Sequence, residues 1–209
     1  MFDSSIILQA LDYLGTFAFG LSGAMVAVRK KMDIFGVVVL ATVTAIGGGT
    51  VRDLLLARAP NFWIKDPTYL LMALGAGLIA FLAYGAVQRA ATALIVFDAI
   101  GLGVFTVIGA WLAMEAELCG VATVVLATLT GVGGGIMRDV LAREVPIVLR
   151  EEVYASASIV AATVFWFGMK GGMSAEMAAP MAAALVIAIR LVSRKFHWHL
   201  PRFTQSDAA

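Results

Sequence analysis

Seven apolar runs of helix length leave this chain little choice of fold. They cover Ile6 to Val28, Ile34 to Ala57, Pro67 to Val87, Ala91 to Met114, Cys119 to Ala142, Val153 to Met169 and Met173 to Val192. A helix of about 20 predominantly apolar residues crosses the hydrocarbon core of a bilayer. Seven such spans consume most of a 209-residue chain, so short connections remain and a soluble catalytic domain has no room. The runs are continuous and rich in Ala, Leu and Met rather than alternating, which argues for helices over lipid-facing strands. Composition agrees: 61% of residues are hydrophobic, 14% are charged and the mean hydropathy is +0.94, where a soluble domain carries about 25% charged residues. The first run lacks a preceding basic residue and is followed by Arg29, Lys30 and Lys31, so it reads as a retained span rather than a cleaved signal peptide.

Charge placement gives an orientation. Loops one-two, three-four and five-six with the C-terminus carry Arg29, Lys30, Lys31, Arg89, Arg143, Arg150, Arg190, Arg194, Lys195 and Arg202, whereas the other side carries Arg58, Lys65 and Lys170. The positive-inside rule then places the C-terminus in the cytoplasm and the N-terminus outside. The net charge of +1 supplies no basic field to hold nucleic acid.

The chain also repeats itself. A shift of 86 residues, without a gap, aligns Asp12 with Asp98, Gly15 with Gly101, Gly23 with Gly109, Leu40-Ala41-Thr42 with Leu126-Ala127-Thr128, Thr44 with Thr130, Gly47-Gly48-Gly49 with Gly133-Gly134-Gly135, Arg52-Asp53 with Arg138-Asp139, and Pro60 with Pro146. Shared composition would align scattered Ala and Gly, but not GGG-x-x-R-D with its flanking threonines at one offset. Each copy holds three spans, an odd number, so the second copy enters the membrane upside down relative to the first. The expected architecture is an all-α membrane protein of seven transmembrane helices in a single domain over 1–209. Repeat 1 covers about 6–88, repeat 2 about 91–170, helix seven about 173–193 and a cytoplasmic tail 194–209. Inverted repeats with glycine-interrupted helices in matching positions point to a permeation or substrate site near the bilayer midplane.

Three consecutive glycines weaken a helix by about 1 kcal/mol each relative to alanine and invite a kink or an unwound turn. Gly47, Gly48, Gly49, Gly133, Gly134 and Gly135 are therefore expected to kink helices two and five and to line a pore, with freed carbonyls facing a cation. The alternative is close helix packing, the role assigned to Gly15, Gly20, Gly23, Gly75 and Gly77. A bulky residue at Gly48 or Gly134 is expected to reduce flux with assembly intact. Thr42, Thr44, Thr128 and Thr130 could offer hydroxyls to a hydrated path or bond their own helix backbone.

Six charged residues fall inside the first six spans: Asp12, Arg52, Asp53, Asp98, Arg138 and Asp139. Charge at membrane depth is expensive and normally pairs or faces a wet cavity. A rise of about 1.5 Å per residue puts Asp12 at the level of Arg52, and Asp98 near that of Arg138. Adjacent helical residues do not face each other. These two considerations predict bridges Asp12–Arg52 and Asp98–Arg138, with Asp53 and Asp139 nearer the ion path. His197 and His199 sit in a basic, aromatic tail that suits an interfacial anchor. No His or Cys lies with the buried charges to ligate zinc or iron, and no span serine has a His or Lys partner, so neither a metal, a cofactor nor an enzyme activity is expected. Cys119, alone beside an apolar run, reads as a small buried hydrophobe.

Spans ending in Gly47-Gly48-Gly49-Thr50-Val51-Arg52-Asp53 and Gly133-Gly134-Gly135-Ile136-Met137-Arg138-Asp139 resemble the prokaryotic trimeric intracellular cation (TRIC) channel family across essentially the whole chain. The resemblance implies a homotrimer in membrane lipid, one pore per subunit lined by helices two and five, and permeation of monovalent cations, chiefly potassium, with sodium as a second candidate. Bacterial sequences of this type have also been described as glycine transporters. A secondary transporter of a small zwitterion is therefore the alternative, with Arg52 or Arg138 holding a carboxylate.

Overall fold

The structure, a computed structural model, describes residues 6–83, 85, 91–150, 153–196 and 198. Arg89, His197, His199, Arg202 and the remainder of the tail, together with the far end of the third apolar run, lie outside the described residues. Those described are helical with connecting turns, in nine helices: α1 (Ile6–Arg29), α2 (Ile34–Leu55), α3 (Phe62–Lys65), α4 (Thr68–Leu82), α5 (Ala91–Glu115), α6 (Gly120–Leu141), α7 (Ile147–Arg150), α8 (Ala155–Lys170) and α9 (Ala175–Lys195). α1, α2, α5, α6 and α9 are long and apolar enough to cross a membrane, and α4 and α8 are apolar helices of 15 and 16 residues. The single-turn helices α3 and α7 sit in segments that the sequence reading left as loops. Asp33 starts α2 by accepting the Gly36 amide at 2.8 Å, the ordinary aspartate cap.

The bundle buries its intramembrane charges within an otherwise apolar core and turns large apolar side chains outward. Asp12, Arg52, Asp53, Asp98, Arg138 and Asp139 are buried, whereas Leu54, Leu55, Leu71, Leu82, Val121 and Phe167 are exposed. Water would reward the reverse, and a hydrocarbon surround makes this arrangement stable. Cys119 is exposed at the start of α6 rather than buried.

Within each copy the first helix packs on the second, α1 on α2 and α5 on α6, with α4 and α8 completing the units. The copies meet through their equivalent helices, α1 against α5 and α2 against α6. The contacts run antiparallel. Gly15 abuts Val104 and Phe105 while Gly101 abuts Phe19, so position increases along α1 as it decreases along α5. Phe19 and Phe105, themselves 86 apart, stack with ring centroids 5.5 Å apart and planes 17° from parallel. A pseudo-twofold axis thus passes between these two rings, and the inverted arrangement required by an odd helix count is the one adopted. α9 packs on α5 and α8, outside the duplication.

Candidate functional site: the helix crossing and its buried charges

The glycine runs meet on this axis. A Cβ built on Gly48 would collide with the Thr130 carbonyl oxygen, and one on Gly134 with the Thr44 carbonyl oxygen; one on Gly133 would lie 3.0 Å from the Gly48 Cα. α2 and α6 therefore cross backbone against backbone, as small residues allow in membranes. Neither helix is unwound there: α2 stays helical over Ile34–Leu55 and α6 over Gly120–Leu141. The expected unwound turns and freed carbonyls are absent from both runs. Close packing is what the glycines secure, and the approach of each Cα to the opposite carbonyl is the geometry of interhelical Cα–H···O contacts. Gly23 and Gly109 do the same between the first and second helices of each copy, against Thr44 and Thr130.

The threonines follow the backbone-bonded alternative. Thr44 donates to Leu40 O at 2.6 Å, Thr128 to Val124 O at 2.8 Å and Thr130 to Leu126 O at 2.7 Å. Thr42 is half-buried.

The six charges gather in two clusters, one per copy. In the second, Arg138 Nη1 donates to Asp98 Oδ1 at 2.6 Å and to Ser22 Oγ of the first copy at 2.5 Å, while Nε donates to Asp139 Oδ1 at 2.8 Å. The Asp98–Arg138 bridge thus forms as depth arithmetic predicts. In the first cluster Arg52 Nε and Nη2 donate to Asp53 Oδ1 at 2.9 and 2.7 Å, and Asp12 Oδ2 accepts from the Tyr69 hydroxyl at 2.8 Å. Asp12 and Arg52 do not bridge. The expectation that an arginine cannot reach the next residue fails in both copies. It treated side chains as points on the helix surface, whereas a guanidinium on its long stem folds back to a neighbouring short carboxylate.

Asp53 and Asp139 have a second use. Asp53 Oδ2 accepts the Phe62 amide at 3.0 Å and Asp139 Oδ2 accepts the Ile147 amide at 2.8 Å. Each carboxylate so ties the end of its long helix to the single-turn helix that follows. In the first copy this seats the Phe62 ring, 1% exposed, against Gly49, with the Arg52 guanidinium carbon 5.2 Å from the ring centroid. α7 buries no residue in the same way. Phe62→Ala should remove this cover and destabilise the fold by about 3–5 kcal/mol. Thermal unfolding in detergent, with Ile64→Ala at an exposed neighbouring position as control, measures it.

Sequence reasoning missed four participants. Tyr69 and Tyr154 are repeat mates, but they stand 85 residues apart, so one residue lost after Pro146 hides them from a fixed-offset comparison. Ser22 has no counterpart that marks it. Arg190, counted among the loop cations, is 3% exposed, stacks its guanidinium 4.4 Å from the Tyr154 ring centroid and donates to Val153 O at 3.1 Å. Outside the core, Lys30 pairs with Glu144, and the ammonium holds that carboxyl below its ordinary range. This surface clasp loosens as pH falls through the depressed folded-state value. A cavity of about 740 Å³ between α6 and α8 is lined by apolar residues such as Val121, Val125, Trp166 and Phe167 and holds none of the six charges.

Two antiparallel three-helix copies, crossing at glycine with charged clusters sealed inside, define an inverted-repeat membrane protein. A family model described as glycine transporter matches the chain twice, at residues 9–85 and 95–170. The UPF0126 inner membrane protein YadS of Escherichia coli K12 is 41% identical over 202 residues, covering 94% of this chain and 96% of its own; a UPF0126 membrane protein of Vibrio cholerae is 42% identical over 198, covering 94% and 83%. Among solved structures, the trimeric intracellular cation channel orthologue of Rhodobacter sphaeroides superposes with a TM-score of 0.88 at 36% identity, over 93% of this chain and 100% of that one. A second, described in work on conductance through TRIC cation channels, gives 0.87 at 34%, over 96% and 98%. The chain belongs to the prokaryotic trimeric intracellular cation channel family, whose sequence model carries the description glycine transporter.

Proposed function

We propose that the protein is a monovalent-cation channel, potassium-permeable, assembled as a homotrimer with one pore in each subunit and seated in the bacterial inner membrane with its N-terminus outside. The observation that carries this reading is the crossing of α2 and α6 on the pseudo-twofold axis between two buried charge clusters, on a fold shared with TRIC channels. With Arg190 included, four buried Asp stand against three buried Arg, so an ionised core is net negative by one and favours cations. The path runs between the glycine runs, past the Thr44 and Thr130 carbonyls, with Arg52, Asp53, Arg138 and Asp139 at its two ends and Asp12 and Asp98 supporting them. In the present arrangement the touching backbones shut that path, and conduction requires α2 and α6 to part.

A secondary transporter of a small zwitterion such as glycine is the second reading. The description of the family model favours it, as does an acid and a base buried together in the first copy. A channel needs a continuous wet path with weak sites, a carrier one occluded site. Reconstitution into a planar bilayer under a potassium gradient should give discrete unitary currents. Substrate-dependent uptake of glycine into vesicles without unitary steps would replace the channel by the carrier.

A further inference from the structure

The two copies present the same four side chains in two different arrangements. In the first copy Asp12 takes the hydroxyl of Tyr69, and Arg52 has Asp53 as its one ion-pair partner among the described residues. In the second, Asp98 takes the guanidinium of Arg138, and the Tyr154 hydroxyl, although beside Asp98, completes no well-aligned hydrogen bond among the described residues. The unpaired buried atoms are informative. Among the described residues they include Asp12 Oδ1 and Arg52 Nη1 in the first copy, and Asp98 Oδ2, Arg138 Nη2 and Tyr154 Oη in the second. A donor and an acceptor stand unused in each copy, and a buried polar group left so is costly. Pairing Asp12 with Arg52 gives the first copy the arrangement of the second. Pairing Asp98 with Tyr154 gives the second copy the arrangement of the first. The space for the latter move exists, since Tyr154 Oη and Asp98 Oδ1 both face the point where Gly135 lacks a side chain, 2.9 and 3.8 Å from it.

We infer that the protein has a second conformation in which the two copies exchange these arrangements: Arg52 bridges Asp12 while Asp98 releases Arg138 and accepts from Tyr154. Each aspartate chooses between an arginine on its neighbouring long helix and a tyrosine on the third helix of its copy. One choice draws the end of that long helix inward, and the other frees it. Because the copies are inverted, the exchange tightens one membrane face as it loosens the other. The same four side chain types form both arrangements within one chain, and the second copy alone is braced by Ser22 and Arg190. The inference concerns the conformational pair alone and stands whether the protein conducts or carries.

The two tyrosines provide the test, because removing the same hydroxyl must act oppositely. Tyr69→Phe takes away the competitor for Asp12 and favours the exchanged state; Tyr154→Phe removes a bond that is completed only in the exchanged state and holds the present one. Spin labels at Lys31 and Val145 report one face, and labels at Ala59 and Glu117 the other; all four positions are exposed, and the second pair mirrors the first at the 86-residue offset. Cys119→Ser supplies the background, and labelled chain is diluted in unlabelled chain so that distances within one subunit are read by pulsed electron resonance. In Tyr69→Phe the 31–145 distance should gain a longer population and 59–117 a shorter one, while Tyr154→Phe gains neither. Ser22→Ala, which weakens the present hold on Arg138, should shift both distances as Tyr69→Phe does. Distances unchanged in Tyr69→Phe and Ser22→Ala, or moved in the same direction by both tyrosine variants, overturn the inference.

Discussion

Replacing Gly48 or Gly134 by leucine should prevent the protein from accumulating as a folded species rather than merely slow ion flux. The first new carbon atom already meets a backbone carbonyl of the opposing helix, Thr130 O or Thr44 O, and a backbone in a continuous helix cannot swing aside as a side chain can. Over-packing against movable side chains costs about 1–3 kcal/mol; here α2 and α6 must separate along their crossing, which strips contacts from both copies at once. Alanine at either position should already show most of the loss. Gly75→Ala is the control, because nothing lies within 4 Å of a Cβ there, and it should hold or slightly raise stability through helix propensity. Size-exclusion profiles and thermal unfolding in detergent measure the series. A leucine variant that elutes and melts like the parent, with flux reduced, would mean that the glycines line the path without being needed to hold the crossing together.

The second large effect separates the two charge clusters. Asp98→Asn and Arg138→Gln should each destabilise by about 3–5 kcal/mol, since each strands a charge in a fully buried site, and the double variant should recover part of the loss. Asp12→Asn with Arg52→Gln should show a smaller coupling, carried through space rather than by a bridge, because Asp12 leans on Tyr69 and Arg52 on Asp53. Double-mutant cycles on both pairs decide the matter. Equal coupling in the two copies would mean that Asp12 and Arg52 pair as tightly as Asp98 and Arg138.

How far the sequence reached differs from residue to residue. Asp98 and Arg138 were matched correctly because depth along a helix depends only on rise per residue. Asp12 and Arg52 satisfied the same arithmetic and remain apart, because a tyrosine 57 positions downstream competes for the carboxylate, and no local rule reveals it. Arg190, near the end of an apolar run, counts by sequence with the cations of the cytoplasmic side, yet the Tyr154 ring and a backbone carbonyl receive it inside.

The sequence by itself determined the helices, the duplication and the inversion. Apolar length sets a span, a gapless 86-residue match sets two copies, and an odd number of spans per copy fixes their opposed orientation; each is a property of the chain read in one dimension. Tertiary structure alone decided what the glycines and charges do. Whether a glycine run bends its own helix or admits another depends on where the second helix passes, and α6 passes within touch of Gly48. Which acid a buried base takes depends on distances of a few ångströms between helices far apart in the chain. The sequence limits that choice to a handful of partners, and packing selects among them.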